Sequence, residues 1–245
     1  MSGRTVAQSA FIGSGVALGA DVVVGPFAVV LGPARIGDRV RIGPGTHVGG
    51  PPEIASERQN DAWLGDLDHH EVVIGADTVL RDHVVIHHGS VRPTVIGERC
   101  WIFSGAYIAH DVVVGDDVTL SAGTALGGHA TVRRGANLGL NVSVHQRRSV
   151  GALAMVGMGT PVTRDIPPFA TAYGAPPRVH GVNRFGMARS GVVEADIAEI
   201  ERLFLEGTPD GPGAGLAADV AAELDWWRTL ADRRPTTFAP AIDHG

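Results

Sequence analysis

Ile96 to Leu120 reads "IGERCWIFSGAYIAHDVVVGDDVTL", and its aliphatic residues fall six apart at Ile96, Ile102, Ile108, Val114 and Leu120. The beat runs on unbroken through Leu126, Val132, Leu138, Val144, Val150, Val156 and Val162. Upstream it is kept by Ile12, Leu18, Val24, Val30, Ile36, Ile42 and Val48, and again by Ile74, Leu80 and Ile86. A helix repeats its apolar face every three to four residues, so a sustained period of six excludes one. A hexad suits one short strand and one turn, with the aliphatic side chain pointing inward. Three hexads make a triangular coil of about 18 residues, and coils stack at a strand spacing of about 4.8 Å. Gly follows the aliphatic residue at positions 13, 19, 25, 37, 43 and 49, as a crowded turn requires. The fold class expected is an all-β solenoid with a C-terminal α-helical extension.

Composition narrows the function. The chain has 245 residues, 44% of them hydrophobic and 5% aromatic, with 34 glycines. A formal net charge of −6 argues against sequence-independent nucleic-acid binding. All twenty basic residues are Arg. The single cysteine, Cys100, cannot close an internal disulfide. The N-terminus lacks the apolar core of a signal peptide, and no run has the length of a membrane span. A cytoplasmic protein is expected.

Two stretches interrupt the beat. Pro51 to Glu71 is polar, acidic and carries a lone Trp63; it is expected to leave the coil as a loop over 51–72, either a surface excursion or a flap over a site. The second, "HGSVRPT" near 88–94, exceeds one hexad by about four residues. The solenoid is expected over 1–170, ending at "DIPPF" (Asp165–Phe169). A connector follows over 171–191. A helical region over 192–245 has Val193, Ile197, Ile200, Leu203 and Phe204 on one face and a second helix around Leu216–Leu230 with Trp226 and Trp227. These helices are expected to cover the open coil end, which is otherwise an aggregation edge.

Polar residues inside the beat carry the functional signal. If the 88–94 insertion interrupts a single side, Ile86, Ile108, Leu126 and Val144 begin the same side of successive coils. His87, His110, His129 and His145 then share that side, one to three residues after the inward position. A lone core His is ordinarily a hydrogen-bonded structural residue; four on one outward face point to a site.

The motifs "IHHG" (Ile86–Gly89), "AYIAHDVVVG" (Ala106–Gly115), "LGGHATV" (Leu126–Val132), "VHQ" (Val144–Gln146), "DIPPF" and "GVN", with Arg189 beyond, resemble a known family. This is the acyl-[acyl-carrier-protein]–UDP-N-acetylglucosamine O-acyltransferase (LpxA-like) family, left-handed parallel β-helices of hexapeptide repeats that begin lipid A synthesis. The resemblance runs from about Val72 to Gly191. It implies that His110 is the general base, Asp111 the orienting acid, and the Gly128 N–H the oxyanion donor. It implies substrate contacts for His87, Tyr107, His129, His145, Gln146, Asn183 and Arg189, and acyl-length control at Met158. No metal or cofactor is implied beyond the acyl-phosphopantetheine donor. The partners implied are an acyl carrier protein, a sugar-nucleotide or other hydroxylated acyl acceptor, and two further copies of the chain in a homotrimer. Arg147, Arg148 and Arg164 are candidates to attract an acidic carrier.

The chain departs from the family pattern at three places. Tyr107 stands where the family has a second His. Glu53-Ile54 follows "GGPP" where the family has a Gln-Asp pair that grips the acyl acceptor. Met158 replaces the Gly of long-chain members, so a short or medium acyl chain is expected. Other readings of the same fold are an O-acyltransferase using acyl-CoA or a different acceptor, and a γ-type carbonic anhydrase with zinc held by His residues such as His83, His87 and His88. A non-enzymatic scaffold is a further alternative.

Overall fold

A computed structural model describes residues 5–56, 59, 68–211, 213 and 215–239. Among them the hexads build three sheets of ten, eight and seven strands. Each coil visits the sheets in turn: Trp101–Ile102 lies in the first, Tyr107–Ile108 in the second and Val113–Val114 in the third. Strands stack in parallel, Tyr107 on Ala125 and Ile108 on Leu126, 18 residues on. The strands are short because most are followed by a corner whose second residue has a left-handed backbone. Asp111 (φ 61°), Asp117 (φ 59°) and His129 (φ 61°) hold such positions, and Gly105 and Gly123 hold others; Asp, His and Gly tolerate that region best.

The aliphatic residues of the beat form the core column. Ile96, Ile102, Ile108, Leu120, Leu126 and Leu138 are each at most 1% exposed, and each such side chain contributes about 1.5–3 kcal/mol of burial free energy. Cys100 is also buried, and burial pushes its thiol up to about 11. Pairing measures both interruptions. Ile36 stacks on Ile74 and Ile86 on Ile108, so the two loops add twenty and four residues to the 18 of an unbroken coil. Ile86, Ile108, Leu126 and Val144 do begin the same side of successive coils. Trp63, and with it the flap reading of the first loop, lies outside the described residues.

The stretch 171–191, expected as a connector, is itself structured. Ala170–Tyr173 continues the first sheet, and Arg178–Val182 pairs with it antiparallel as a terminal hairpin. Among the described residues three helices follow: α1 (Arg184–Arg189), α2 (Glu194–Leu205) and α3 (Ala218–Thr229). α2 buries Ile197, Ile200, Leu203 and Phe204 and packs against the hairpin. Val193 is instead the exposed residue before α2. α3 runs back along the flank, where its buried Glu223 accepts hydrogen bonds from Arg133 at 2.9 Å and Arg134 at 2.9 Å. The helices therefore clamp the side of the solenoid as well as its end. No helix among the described residues is long and apolar enough to cross a membrane.

Candidate active site

The corner between the second and third sheets is where the two-residue strand Tyr107–Ile108 gives way to Ala109, His110 and Asp111. Ile108 points inward and is fully buried, which turns His110 to the outside of the coil. Asp111 is also fully buried, and the four-residue insertion accounts for it. The chain from Ser90 to Arg92 curls over the carboxylate, and Oδ1 accepts hydrogen bonds from the amides of Ser90 (3.0 Å), Val91 (2.9 Å) and Arg92 (2.9 Å). Oδ2 accepts from the Ser90 hydroxyl at 2.6 Å. The Arg92 guanidinium donates to the Asp111 carbonyl at 3.0 and 2.8 Å, and the Asp111 amide donates to Thr94 Oγ1 at 2.9 Å. Burial alone would raise the carboxyl's pKa; the hydrogen bonds from Ser90, His110, Val91 and Arg92 outweigh it and hold the group well below the usual carboxylate range.

That ionised carboxylate fixes the neighbouring imidazole. His110 Nδ1 lies 2.6 Å from Asp111 Oδ2. An ionised carboxylate only accepts hydrogen bonds, so Nδ1 carries the proton and Nε2 presents a lone pair. One coil on, Gly128 lies beneath the ring: a Cβ there would stand 2.6 Å from His110 Cε1 and Nε2. Only glycine leaves the ring its place. The Gly128 N–H forms no hydrogen bond among the described residues. His129, next along, meets the His110 ring edge-on at 5.2 Å and sets its Nε2 3.7 Å from Asp111 Oδ2. Partial burial, reinforced by Arg147, lowers the His129 pKa against the pull of Asp111, keeping this ring neutral at pH 7. Donor atoms of His110, Asp111 and His129 all lie within 4.8 Å of one another, as a metal set would need. Both carboxylate oxygens are already engaged by the donors described above.

A second polar group adjoins the first. His87 follows Ile86, which stacks on Ile108, and so abuts Ala109 beside the base. Its Nδ1 donates to the Pro51 carbonyl at 2.8 Å, and its ring lies 5.2 Å from Tyr107. The Tyr107 hydroxyl donates to Glu53 Oε2 at 2.6 Å. Burial, then this carboxylate, raises the Tyr107 pKa, so the phenol stays protonated. Glu53 thus enters the site, although only its mismatch to the family pattern was legible before.

The other expected residues scatter. His145 and Gln146 are exposed on the same corner, one coil beyond Gly128. Asn183 is structural: its Oδ1 accepts from the Gly186 amide at the start of α1, and its Nδ2 donates to the Leu153 carbonyl at 2.8 Å. Arg189 ends α1 and lines a pocket with Arg99, Trp101, Asp117 and Thr119 on the wall of the first sheet. The single chain does not bring Asn183 and Arg189 to His110. Met158 is 75% exposed at the corner between the first and second sheets, in line with Leu140. Of the three candidate arginines, Arg148 is buried and ion-paired with Asp165 at 2.8 Å, so it is not a surface charge. The zinc reading finds no support in the geometry. His88 Nε2 bonds the Pro33 carbonyl, His87 bonds Pro51, and His83 lies across the coil over Gly45.

The same architecture occurs in known proteins. The family description "Bacterial transferase hexapeptide (six repeats)" matches residues 15–50 and 93–128. "Udp N-acetylglucosamine O-acyltransferase; Domain 2" matches residues 165–206, the end of the solenoid and the first two helices. The acyl-[acyl-carrier-protein]–UDP-N-acetylglucosamine O-acyltransferase of a Synechocystis species is 35% identical over 178 residues, 72% of this chain and 62% of the relative. Along the solenoid and the first two helices the chain is similar to these hexapeptide-repeat acyltransferases. A second relative of the same name, from Alkalilimnicola ehrlichii, is 35% identical over 62% of this chain and 59% of its own. The chain therefore spans about three fifths of the length of the curated relatives it matches. Among solved structures, the UDP-N-acetylglucosamine O-acyltransferase of Moraxella catarrhalis is 25% identical, with TM-score 0.61 over 92% of this chain and 87% of that one. The Arabidopsis acyltransferase shares the fold, with TM-score 0.72 over 96% of this chain and 98% of that one at 21% identity.

Proposed function

We propose that the protein moves a short or medium acyl chain from an acyl carrier protein thioester to a hydroxyl of UDP-N-acetylglucosamine or a related sugar nucleotide. The observation that carries this reading is the His110–Asp111 pair seated on Gly128, together with relatives whose names specify the carrier donor and the nucleotide-sugar acceptor. His110 Nε2 takes the hydroxyl proton as the oxygen attacks the thioester carbonyl. Negative charge gathers on the carbonyl oxygen, where the unpaired Gly128 N–H is available to it. Collapse of the tetrahedral intermediate breaks the C–S bond, and the imidazolium returns the proton to the departing thiolate. Asp111 stays ionised throughout and stabilises the imidazolium that forms.

Tyr107 and Glu53 give the sugar side of the groove a different chemistry from the family's Gln-Asp pair, and exposed Met158 is the residue assigned to acyl-length control. A trimer, in which the Arg189 wall of one copy could face the His110 corner of another, belongs to this reading, as do a cytoplasmic setting and the absence of any cofactor. The test is incubation with carrier proteins bearing acyl chains of graded length and a panel of hydroxylated acceptors, read by mass spectrometry. Transfer to UDP-N-acetylglucosamine, faster with short and medium chains and abolished in His110→Ala, is expected. Faster turnover of long chains would remove the role given to Met158. Transfer from acyl-CoA in preference to the carrier would replace the donor. No transfer to any acceptor would overturn the reading, and a monomer by solution scattering would overturn the trimer.

A further inference from the structure

The corner that carries His110 continues toward the C-terminal end of the solenoid. Coils set residues 18 apart in line, so His110, Gly128 and Gln146 form one column and Asp111, His129 and Arg147 form its neighbour. Past Gln146 the corner is shortened. Val144 still stacks on Val162, but Val150 already meets Ile166. Arg164, 18 residues after Gln146 and two after Val162, holds the next place in the column. Asp165 donates its amide to the Arg234 carbonyl at 2.7 Å, which sets Arg234 at the same end.

Arg147, Arg164 and Arg234 are all exposed. Most arginines of the described chain are ion-paired, among them Arg35, Arg39, Arg99, Arg133, Arg184 and Arg202. These three have no ion-pair partner among the described residues. Asp165, which follows Arg164 in the chain, is buried and already bound to Arg148, to the Ser149 amide at 2.7 Å and to the Arg234 amide. Three exposed arginines without an ion pair at one end of the column stand out on a chain of net charge −6. Three coil steps, roughly 14 Å, separate Arg164 from His110 along the corner.

We infer that Arg147, Arg164 and Arg234 form the docking surface for an acidic acyl carrier protein, whose acylated arm runs past Gln146 and Gly128 to His110. The inference rests on the acyl-transfer reading and adds the place where the donor's protein part sits. Charge complementarity argues for this occupant. An acidic partner arriving at the end of the column is steered by the cations, and the neutral stretch between Arg147 and His110 leaves room for the uncharged arm. Such rim charges act on encounter and salt dependence more than on the chemical step.

The experiment compares wild type with the double variant Arg164→Glu/Arg234→Glu, which leaves in place Arg147, whose charge acts on His129. Two measurements are made. One is binding of an octanoyl-loaded fatty-acid carrier protein at low and high salt. The other is turnover of that carrier beside octanoyl-CoA and octanoyl-pantetheine, which lacks both protein and phosphate. Expected are a carrier Kd and KM raised on the order of tenfold or more, a weaker salt dependence, and unchanged turnover of octanoyl-pantetheine. Equal losses with all three donors would overturn the docking surface, since the arginines would then act on the fold or the chemistry. An effect on octanoyl-CoA as large as on the carrier would reduce the site to a phosphate contact and overturn it too. Unchanged carrier binding would do the same. Arginine-dependent carrier binding without acyl transfer to any acceptor would uphold the surface and overturn the function proposed above.

Discussion

The corners at Asp111 and Asp117 lie six residues apart in one coil, and their backbones have the same left-handed turn, φ 61° and 59°. Both hold an aspartate there. Asp117 is half exposed and pairs with Arg99 at 2.8 and 3.0 Å. Asp111 is sealed from solvent under three amides, a hydroxyl and an imidazole. The solenoid supplies the aspartate to both corners for the same conformational reason. The four-residue insertion turns one of them into an anion locked against a histidine. What separates a surface turn from a candidate site is thus a short loop from the preceding coil.

The largest expected break in this comparison is Asp111→Asn. The amide cannot hold the Nδ1–H tautomer of His110, because its own NH2 competes as a donor. A fall in kcat on the order of 10³ to 10⁴ is expected, as for an orienting carboxylate elsewhere, with Asp117→Asn at wild-type activity. Steady-state kinetics on the two variants checks it; equal activities would remove Asp111 from the mechanism.

The buried His88 supplies the next effect, in stability rather than rate. Burial lowers its pKa from 6.5 to about 4. The unfolded chain binds a proton there below about pH 6.5, and the folded chain does not until about pH 4. Stability is therefore full above pH 6.5 and falls between 6.5 and 4 by on the order of 3 kcal/mol. His47 and His129, also lowered, act in the same direction. Asp111, whose pKa is depressed, loses its contribution only at lower pH. Urea unfolding at pH 7 and pH 5 should show the loss in wild type and a smaller one in His88→Gln; a pH-independent midpoint would contradict it.

Gly128→Ala follows, at about 10²-fold in kcat, because the new methyl would displace His110 by roughly an ångström. Gly105 occupies a corner of the same solenoid where a Cβ would meet nothing within 4 Å, although its φ of 69° is left-handed. Gly105→Ala should lower Tm and leave kcat alone, so the pair separates backbone strain from a lost position for the base.

Much of this was legible in the sequence. The six-residue beat is set by one inward side chain per strand, so it survives loops and predicts the column, its interruptions and the outward face of His110. Ser90 to Arg92 were not legible, because they act through amides that any residue carries; only the four extra residues of the loop marked them. Glu53 and Tyr107 meet across 54 residues of chain, with a twenty-residue excursion between them. Arg147 and Arg148 look alike in sequence, yet one faces water and the other is buried against Asp165. Side-chain direction at a corner decides that, and the periodicity does not reach it.

The smallest effect is the most discriminating control for the insertion itself. Ser90→Ala removes the hydroxyl from Asp111 Oδ2 and leaves the three amides on Oδ1. Losing one hydrogen bond to a buried charged group costs about 1–3 kcal/mol, and the depressed carboxyl should rise in pKa while remaining ionised at neutral pH. Activity at pH 7 should then stay near wild type, and the acid limb of folding stability should move to higher pH. Asp117 has no such loop above it and is the unclamped corner for comparison. If Ser90→Ala instead abolished activity at pH 7 with the fold intact, the hydroxyl would be acting on substrate, and the insertion would be part of the binding groove rather than a clamp on the carboxylate.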